Sequence, residues 1–444
     1  MIQYLKDNKQ LIILCSLWVF AGVYVNPIVF GLIPLSVILL YKRDFDIEMF
    51  IAFLFILTMS DSRVLSMEWA GKIKNVYVLL FTLAAFRYYK DTQVKVKLHL
   101  YIIPFLLVAV ICLAFSPSIS TAAQKTLSYF FLFFAVPNYF SYIYGLHKEE
   151  FLKRIVWSVF FLLLIGLLLR YIRPDIVILA GRYNGLLGNP NGLGIYCFLF
   201  IMFFTIVLEF FPNSFSMQEK ILIFGIAFIS LLYCGARSSL VSVLLFYGFR
   251  YFHKLSPIFG FAILIVAIAS YEVISNNLEA IIYSMGMEEY LRVDTLKDGS
   301  GRLVAWNFAF EQIEKNFYLG RGFSYTEYIF FEYRKYLRDL GHQGAAHNSY
   351  LTLWLDTGLV GLVTFLSSFL AFIFSISKLS ISVFPLLYGA LFSNQFESWI
   401  TASLNPFTIF LLLSITLIFV AKKSELISAE EQENTTNQAE LNYA

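Results

Sequence analysis

Apolar residues fall in long runs along this chain, separated by short stretches of charge, proline and glycine. The runs lie at approximately 11–24, 27–41, 47–60, 75–89, 99–115, 127–144, 155–171, 192–211, 220–234, 238–250, 256–274, 351–373, 380–394 and 406–420. A helix rises about 1.5 Å per residue, so crossing the hydrocarbon layer of a bilayer takes roughly 20 residues. Several runs are shorter and must borrow flanking Tyr, Trp and Ser residues or fail to span, which gives an expectation of about twelve to fourteen spans. The pattern predicts an all-α, polytopic transmembrane helical bundle. Its expected organisation is helices over 1–274 (about eleven spans, with a Gly/Asn-rich outer loop at 172–191), a long outer-face loop containing amphipathic helices at 275–350, further transmembrane helices at 351–421, and a disordered tail at 422–444.

Composition agrees with the pattern. Of 444 residues, 59% are hydrophobic and only 14% charged, with a mean hydropathy of +0.71, whereas soluble domains carry roughly 25% charge. A water-soluble enzyme with one large core is excluded, and so is a disordered chain. The net charge of +3 implies no nucleic-acid partner. Cys15, Cys112, Cys197 and Cys234 lie within or at the ends of apolar runs without a CxxC pair, so neither a disulfide framework nor a thiolate metal site is indicated. Lys6 and Lys9 precede the first run, which ends in no A-x-A-like site, so an uncleaved first helix is expected.

Orientation follows from the basic residues. With the N-terminus cytoplasmic and every run spanning, seventeen Lys and Arg residues fall inside, against eight in the short outer loops. This favours both termini inside and the 275–350 loop outside. Sorting by type is more informative: the inner set has thirteen Lys and four Arg, the outer set six Lys and ten Arg. Topology gives no reason for that bias. Arginine is suited to a two-pronged grip on phosphate, although loop arginines can also simply pair with loop acids.

Four polar stretches stand out on the expected outer face. Gly181-Arg182-Tyr183-Asn184-Gly185-Leu186-Leu187-Gly188-Asn189-Pro190-Asn191 is too rich in Gly and Asn for a membrane helix and reads as a structured turn. Asn191 is expected to cap the following helix, and the turn serves either as an anion cradle or as an ordinary connection. Gly235-Ala236-Arg237 leaves Arg237 near or within the membrane boundary, a costly position that indicates either function or snorkelling to headgroups. In the third, Asp298 to Arg302 leads into a segment where Leu303, Trp306, Phe310 and Ile313 recur at near-helical spacing. This predicts an amphipathic helix on the membrane surface or over a cavity, with Arg302 in a first turn that disfavours positive charge. The fourth holds two of the five histidines, His342 and His347, at the mouth of a span, with Asn348 and Asp356 following. Histidine takes a proton readily near neutral pH. No CxxC pair, HExxH motif or third clear ligand supports zinc.

Together these stretches resemble the O-antigen ligase and O-antigen polymerase superfamily of bacterial envelope glycan enzymes. His347-Asn348, nine residues, then Gly358-Leu359-Val360-Gly361 matches the signature H-[NSQ]-x9-G-x-x-[GTY]. The Arg182–Asn191 stretch, the Ala236-Arg237 turn, and Arg302 to Trp306 with Gly320-Arg321-Gly322 are similar to its other recurrent blocks. The resemblance covers about 170–365. It implies a fold like the membrane C-type glycosyltransferases and a metal-independent, inverting transfer needing no cofactor. It also implies a glycan donor linked to undecaprenyl diphosphate at the periplasmic face of the inner membrane. The acceptor would be lipid A–core for a ligase, or a lipid-linked repeat for a polymerase. Arg182, Arg237, Arg302 and Arg321 would hold the diphosphate. His347 would be the base, with Asn348 orienting it and His342 as its rival, and Gly188, Asn189, Asn191, Gly358 and Gly361 would shape the site. A glycosidase's paired carboxylates are not evident, nor is a nucleotide-sugar motif. A transporter or flippase for the same lipid is the competing class; it would line a pathway through the spans with charged residues and show duplicated halves, whereas here the polar stretches gather on one face and no convincing inverted repeat is evident.

Overall fold

The structure, a computed structural model, describes residues 2–62, 67–285, 300–342, 344–402 and 404–443. Asp298 and Gly299, which begin the Asp298–Arg302 stretch, lie outside the described residues. Every apolar run lies on a helix. The runs at 127–144 and 155–171 share one helical stretch, Ile119–Ile172, which breaks at Lys148, where φ is 38°. Among the described residues, six helices are long and apolar enough to cross a membrane: Leu98–Phe115, Ile119–Ile172, Pro190–Phe210, Met217–Cys234, Ser349–Ile376 and Pro406–Glu430. Shorter apolar helices include Lys9–Tyr24, Val29–Lys42 and Pro257–Tyr271. The described strands are one short antiparallel pair, Ile178–Leu179 with Arg182–Tyr183. The helix from Pro406 runs to Tyr443. It therefore continues into the polar tail, whose Glu, Ala and Gln residues favour helix and where Lys422 pairs with Glu425.

The outside of the bundle is apolar. Phe20, Leu35, Leu107, Leu168, Leu232, Leu244 and Ile265 are all exposed on helices, on a scale that water would not tolerate over contiguous patches. The chain is an all-α polytopic membrane protein. Its centre is the Pro190–Phe210 helix packed on the helix from Pro406, both largely buried, with Phe410 against Tyr196, Phe200 and Phe203.

A second, smaller core lies over one end. Helices Ser300–Lys315, Tyr325–Glu332 and Arg334–Asp339 enclose Ala305, Phe308, Ala309, Ile313, Phe330 and Leu337 against Leu351 and Leu355. The expected apolar positions of the first of these divide between two sides. Ile313 is buried and Trp306 half-buried, but Leu303 and Phe310 are exposed. The small residues Ala305 and Ala309 take the inner face, where the helix packs closely on Ser349–Ile376.

That last helix is broken on purpose at Gly358, where φ is 72° and ψ is 179°. The amides freed by the break, Leu359 and Val360, donate to the Phe317 and Tyr318 carbonyls at 2.9 and 3.2 Å. Only glycine adopts this backbone readily, and a Cβ here would overlap the Tyr318 carbonyl. Just before the break, the buried Asp356 carboxylate accepts from the amides of Ser324 (3.1 Å) and Thr326 (2.8 Å) and from the Thr326 hydroxyl (2.7 Å). Gly320 and Gly322 lie in the turn that packs on it, and a side chain at Gly320 would strike the Asp356 backbone. Gly358→Ala is expected to destabilise the protein by roughly 3 kcal/mol, through strain and overlap. A thermal melt of the purified protein checks this, and an unchanged melting temperature would refute it.

Candidate active site

The second core lies where the ends of several helices meet, and at their junction sits Glu397. This residue immediately follows the Val383–Phe396 helix, and its side chain is 11% exposed. Its Oε1 accepts from Nδ2 of Asn191 at 2.7 Å and faces the Arg302 guanidinium at 3.5 Å. Its Oε2 accepts from Nδ1 of His347 at 3.3 Å. Asn191 is shared: its Oδ1 accepts from Arg182 at 3.0 Å. Arg182 also donates to the Cys234 carbonyl through Nε and a terminal nitrogen, at 3.1 and 2.8 Å, and so reaches the Gly235-Ala236-Arg237 turn. Arg182, Asn191, Glu397, Arg302 and His347 thus form one connected network.

Each member is there for a local reason. Asn189, in extended conformation before Pro190, caps the Pro190–Phe210 helix by accepting from the Gly192 amide at 2.7 Å. The expected cap at Asn191 is therefore corrected. Proline occupies the first helical position, so the cap falls one residue before it, and Asn191 lies in the first turn with its amide free to bridge Arg182 and Glu397. Gly188 donates to Asp61 at 3.1 Å, anchoring the turn below. Gly194 lets this helix press on Ala236 and Ser239, which fixes the start of the Arg237–Tyr251 helix. Arg237 touches no carboxylate among the described residues; it lies within electrostatic reach of Tyr271, which also faces Arg302 and Glu397.

His347 has a left-handed backbone, φ 47°, a conformation that costs a non-glycine residue about 1 kcal/mol. The conformation is held from both sides. Asn348 donates its amide to Ser398 at 2.8 Å, and its Oδ1 caps Ser349–Ile376 by accepting from Tyr350 and Leu351. Asn348 is buried in this capping role. Ser349 binds Asn394 and the Glu397 carbonyl. On the other side Trp306 donates to the Ala346 carbonyl at 3.0 Å. Gly344 lies directly beside Nε2 of His347. His347 remains 35% exposed. His342 is buried beside Phe330, its ring edge-on to that of His347 at 6.0 Å.

Arg321 stands apart from the network. It lies over the Tyr325 ring at 5.6 Å, on the turn packed against Asp356. Gly358 shapes the helix break, and Gly361 lies tight against Thr357 one turn later. Among the described residues no group of three His, Cys, Asp or Glu side chains could hold a metal ion.

Sequence reasoning missed Glu397. A signal was present: it is the one acidic residue between Asp356 and Glu425, between two apolar runs.

Arginines and helix starts concentrate positive charge at the site. Four helices, Pro190–Phe210, Arg237–Tyr251, Ser300–Lys315 and Ser349–Ile376, start at it, and a helix start carries partial positive charge. Three arginines (Arg182, Arg237, Arg302) gather around or beside Glu397, and the other carboxylate near these helix starts, Asp61, accepts from the Gly188 amide. Burial pushes the Glu397 carboxyl up, but the hydrogen bond and charge of His347, the charge of Arg302 and the Asn191 amide outweigh it and hold the group below the usual carboxylate range. A carboxyl with a lowered folded-state pKa stabilises the protein above its unfolded pKa, and that contribution is lost as pH falls through the folded value. Thermal stability is therefore expected to drop on acidification below about pH 4, with a smaller drop in Glu397→Gln. Melting curves at pH 3–7 check this, and identical pH dependence in the two proteins would contradict it.

Two comparisons with known proteins complete the picture. A family model described as O-Antigen ligase matches residues 102–366, more than half of the chain. No curated protein matches it.

Proposed function

The chain belongs to the O-antigen ligase family, and on that premise we propose that it transfers a glycan from undecaprenyl diphosphate to a sugar hydroxyl, with lipid A–core as acceptor. The observation that carries the reading is the network of Arg182, Asn191, Arg302 and His347 around Glu397, with Arg237 beside it, at the start of four helices. Three arginines gathered near Glu397, with Asp61 at the adjoining turn, still leave an excess of positive charge suited to a diphosphate diester, which has one negative charge on each phosphate. As the glycosidic bond breaks, further charge builds on the leaving diphosphate, and preorganised guanidinium groups stabilise it there. Such a leaving group needs no general acid.

His347, exposed at the edge of this cluster, takes the proton of the attacking hydroxyl, while buried His342 shapes the wall behind it. One base and direct displacement give inversion at the anomeric carbon. The chemistry needs no metal. The site faces the periplasm from the inner membrane of a bacterium, both termini lie in the cytoplasm, and the apolar helices keep the prenyl chain in the bilayer while its head reacts in water.

Purified protein with lipid-linked donor and lipid A–core is the direct test, read by mass spectrometry of the product. Arg182→Ala and Arg302→Ala are expected to lower transfer by about 100-fold or more each, and a chelator is expected to leave the wild-type rate unchanged. Transfer to a lipid-linked repeat but not to lipid A–core would assign polymerisation instead. Undiminished transfer in both arginine variants would overturn the diphosphate assignment, and chelator sensitivity would overturn metal independence.

A further inference from the structure

Glu397 lies outside the family-matched residues 102–366 and is not needed as an acid or a nucleophile in the transfer above. Its carboxylate is nonetheless held at both oxygens by Asn191, Arg302 and His347. A carboxylate only accepts hydrogen bonds, so its contact with Nδ1 of His347 requires the proton on Nδ1, which leaves Nε2 with its lone pair. The other oxygen is held by Asn191 and Arg302. The turn carrying Glu397 is itself pinned: Asn348 donates to Ser398, Ser349 donates to Asn394 and to the Glu397 carbonyl, and the Ile400 amide donates to Asn394 at 3.3 Å. A carboxylate serving only to balance charge needs no such precision at its imidazole partner.

We propose that Glu397 is a positioning residue for the transfer: it fixes His347 in the tautomer whose Nε2 accepts the acceptor's hydroxyl proton, and it stabilises the imidazolium that results. This rests on His347 being the base. In the step, the hydroxyl oxygen attacks the anomeric carbon, and the bond from that carbon to the phosphate oxygen breaks with its electron pair leaving on the diphosphate. The hydroxyl proton passes to Nε2, and the imidazolium later releases it to water. Through Asn191 and Arg302, the orientation of the base is coupled to the two segments that grip the donor.

The charged and titratable groups facing this pair are Arg302 from the Ser300–Lys315 helix, His342 from the loop of His347 itself, Tyr271 from the Pro257–Met285 helix, and Arg182 and Arg237 behind Asn191 and Tyr271. Glu397 is the carboxylate among these groups, so Glu397→Gln removes the negative charge next to the imidazole of His347.

The experiment is a pH–rate profile of the purified full chain with lipid-linked donor, for wild type, Glu397→Gln, Glu397→Asp and His347→Ala. Glu397→Gln is expected to lower kcat by roughly 100-fold with donor KM within about two-fold. The acid limb of its profile is expected to move to lower pH by about one unit. Glu397→Asp, which keeps the charge, is expected to recover part of kcat and to leave the acid limb near the wild-type position; it decides the matter if Glu397→Gln does not fold. An acid limb that stays in place in Glu397→Gln, or a loss expressed in KM alone, would make Glu397 structural and overturn the inference. Wild-type activity in His347→Ala would instead overturn the base itself.

Discussion

A carboxylate can be buried only if its charge is met at close range, and Glu397 is met from three directions. Asn191, Arg302 and His347 come from segments far apart in the chain, the first of them 206 residues from Glu397. The three stand at or just before the starts of different helices, so satisfying one carboxylate brings those starts to a common point. Their partial positive charges then add to those of the arginines. Loss of Glu397's charge would leave Arg302 without its carboxylate partner and those helix ends facing one another unopposed.

The network can form only because the backbone beneath it is shaped to allow it. The break at Gly358 and the glycines at 320 and 322 dock the end of the Ser300–Lys315 segment onto Ser349–Ile376, which puts Arg302 and His347 on the same side. Asp356 caps the Tyr325–Glu332 helix from within another helix, tying the small upper core to the bundle. The glycines of the signature His347–Gly361 therefore serve the scaffold, and the histidine at its head serves the site.

Much of this could be read in the sequence. Fourteen apolar runs became helical stretches because apolar length between charged breaks is what a bilayer selects. The segments holding Arg182, Arg237, Arg302 and His347 stood out because Gly, Asn and Arg are costly beside apolar spans. Details that depend on packing were not visible. The helix cap fell on Asn189 because of Pro190, a rule the sequence did contain. The inner face of Ser300–Lys315 is set by Ala305 and Ala309, whose small size matters only against a neighbouring helix. Arg321 shares a Gly-Arg-Gly turn with residues that pack on Asp356 and so is drawn away from the network. Glu397 carries no motif, and its meaning comes entirely from residues that the fold brings to it.

The proposed diphosphate site lies among Arg182, Arg237 and Arg302, at the start of the converging helices. A cryo-EM map of the protein in lipid nanodiscs with added undecaprenyl diphosphate tests it most directly. Density for both phosphates is expected between these three guanidinium groups, within reach of His347 and with the prenyl chain leaving along the bundle. Diphosphate density at the opposite end of the helices, or around Arg321 and away from Glu397, would contradict it.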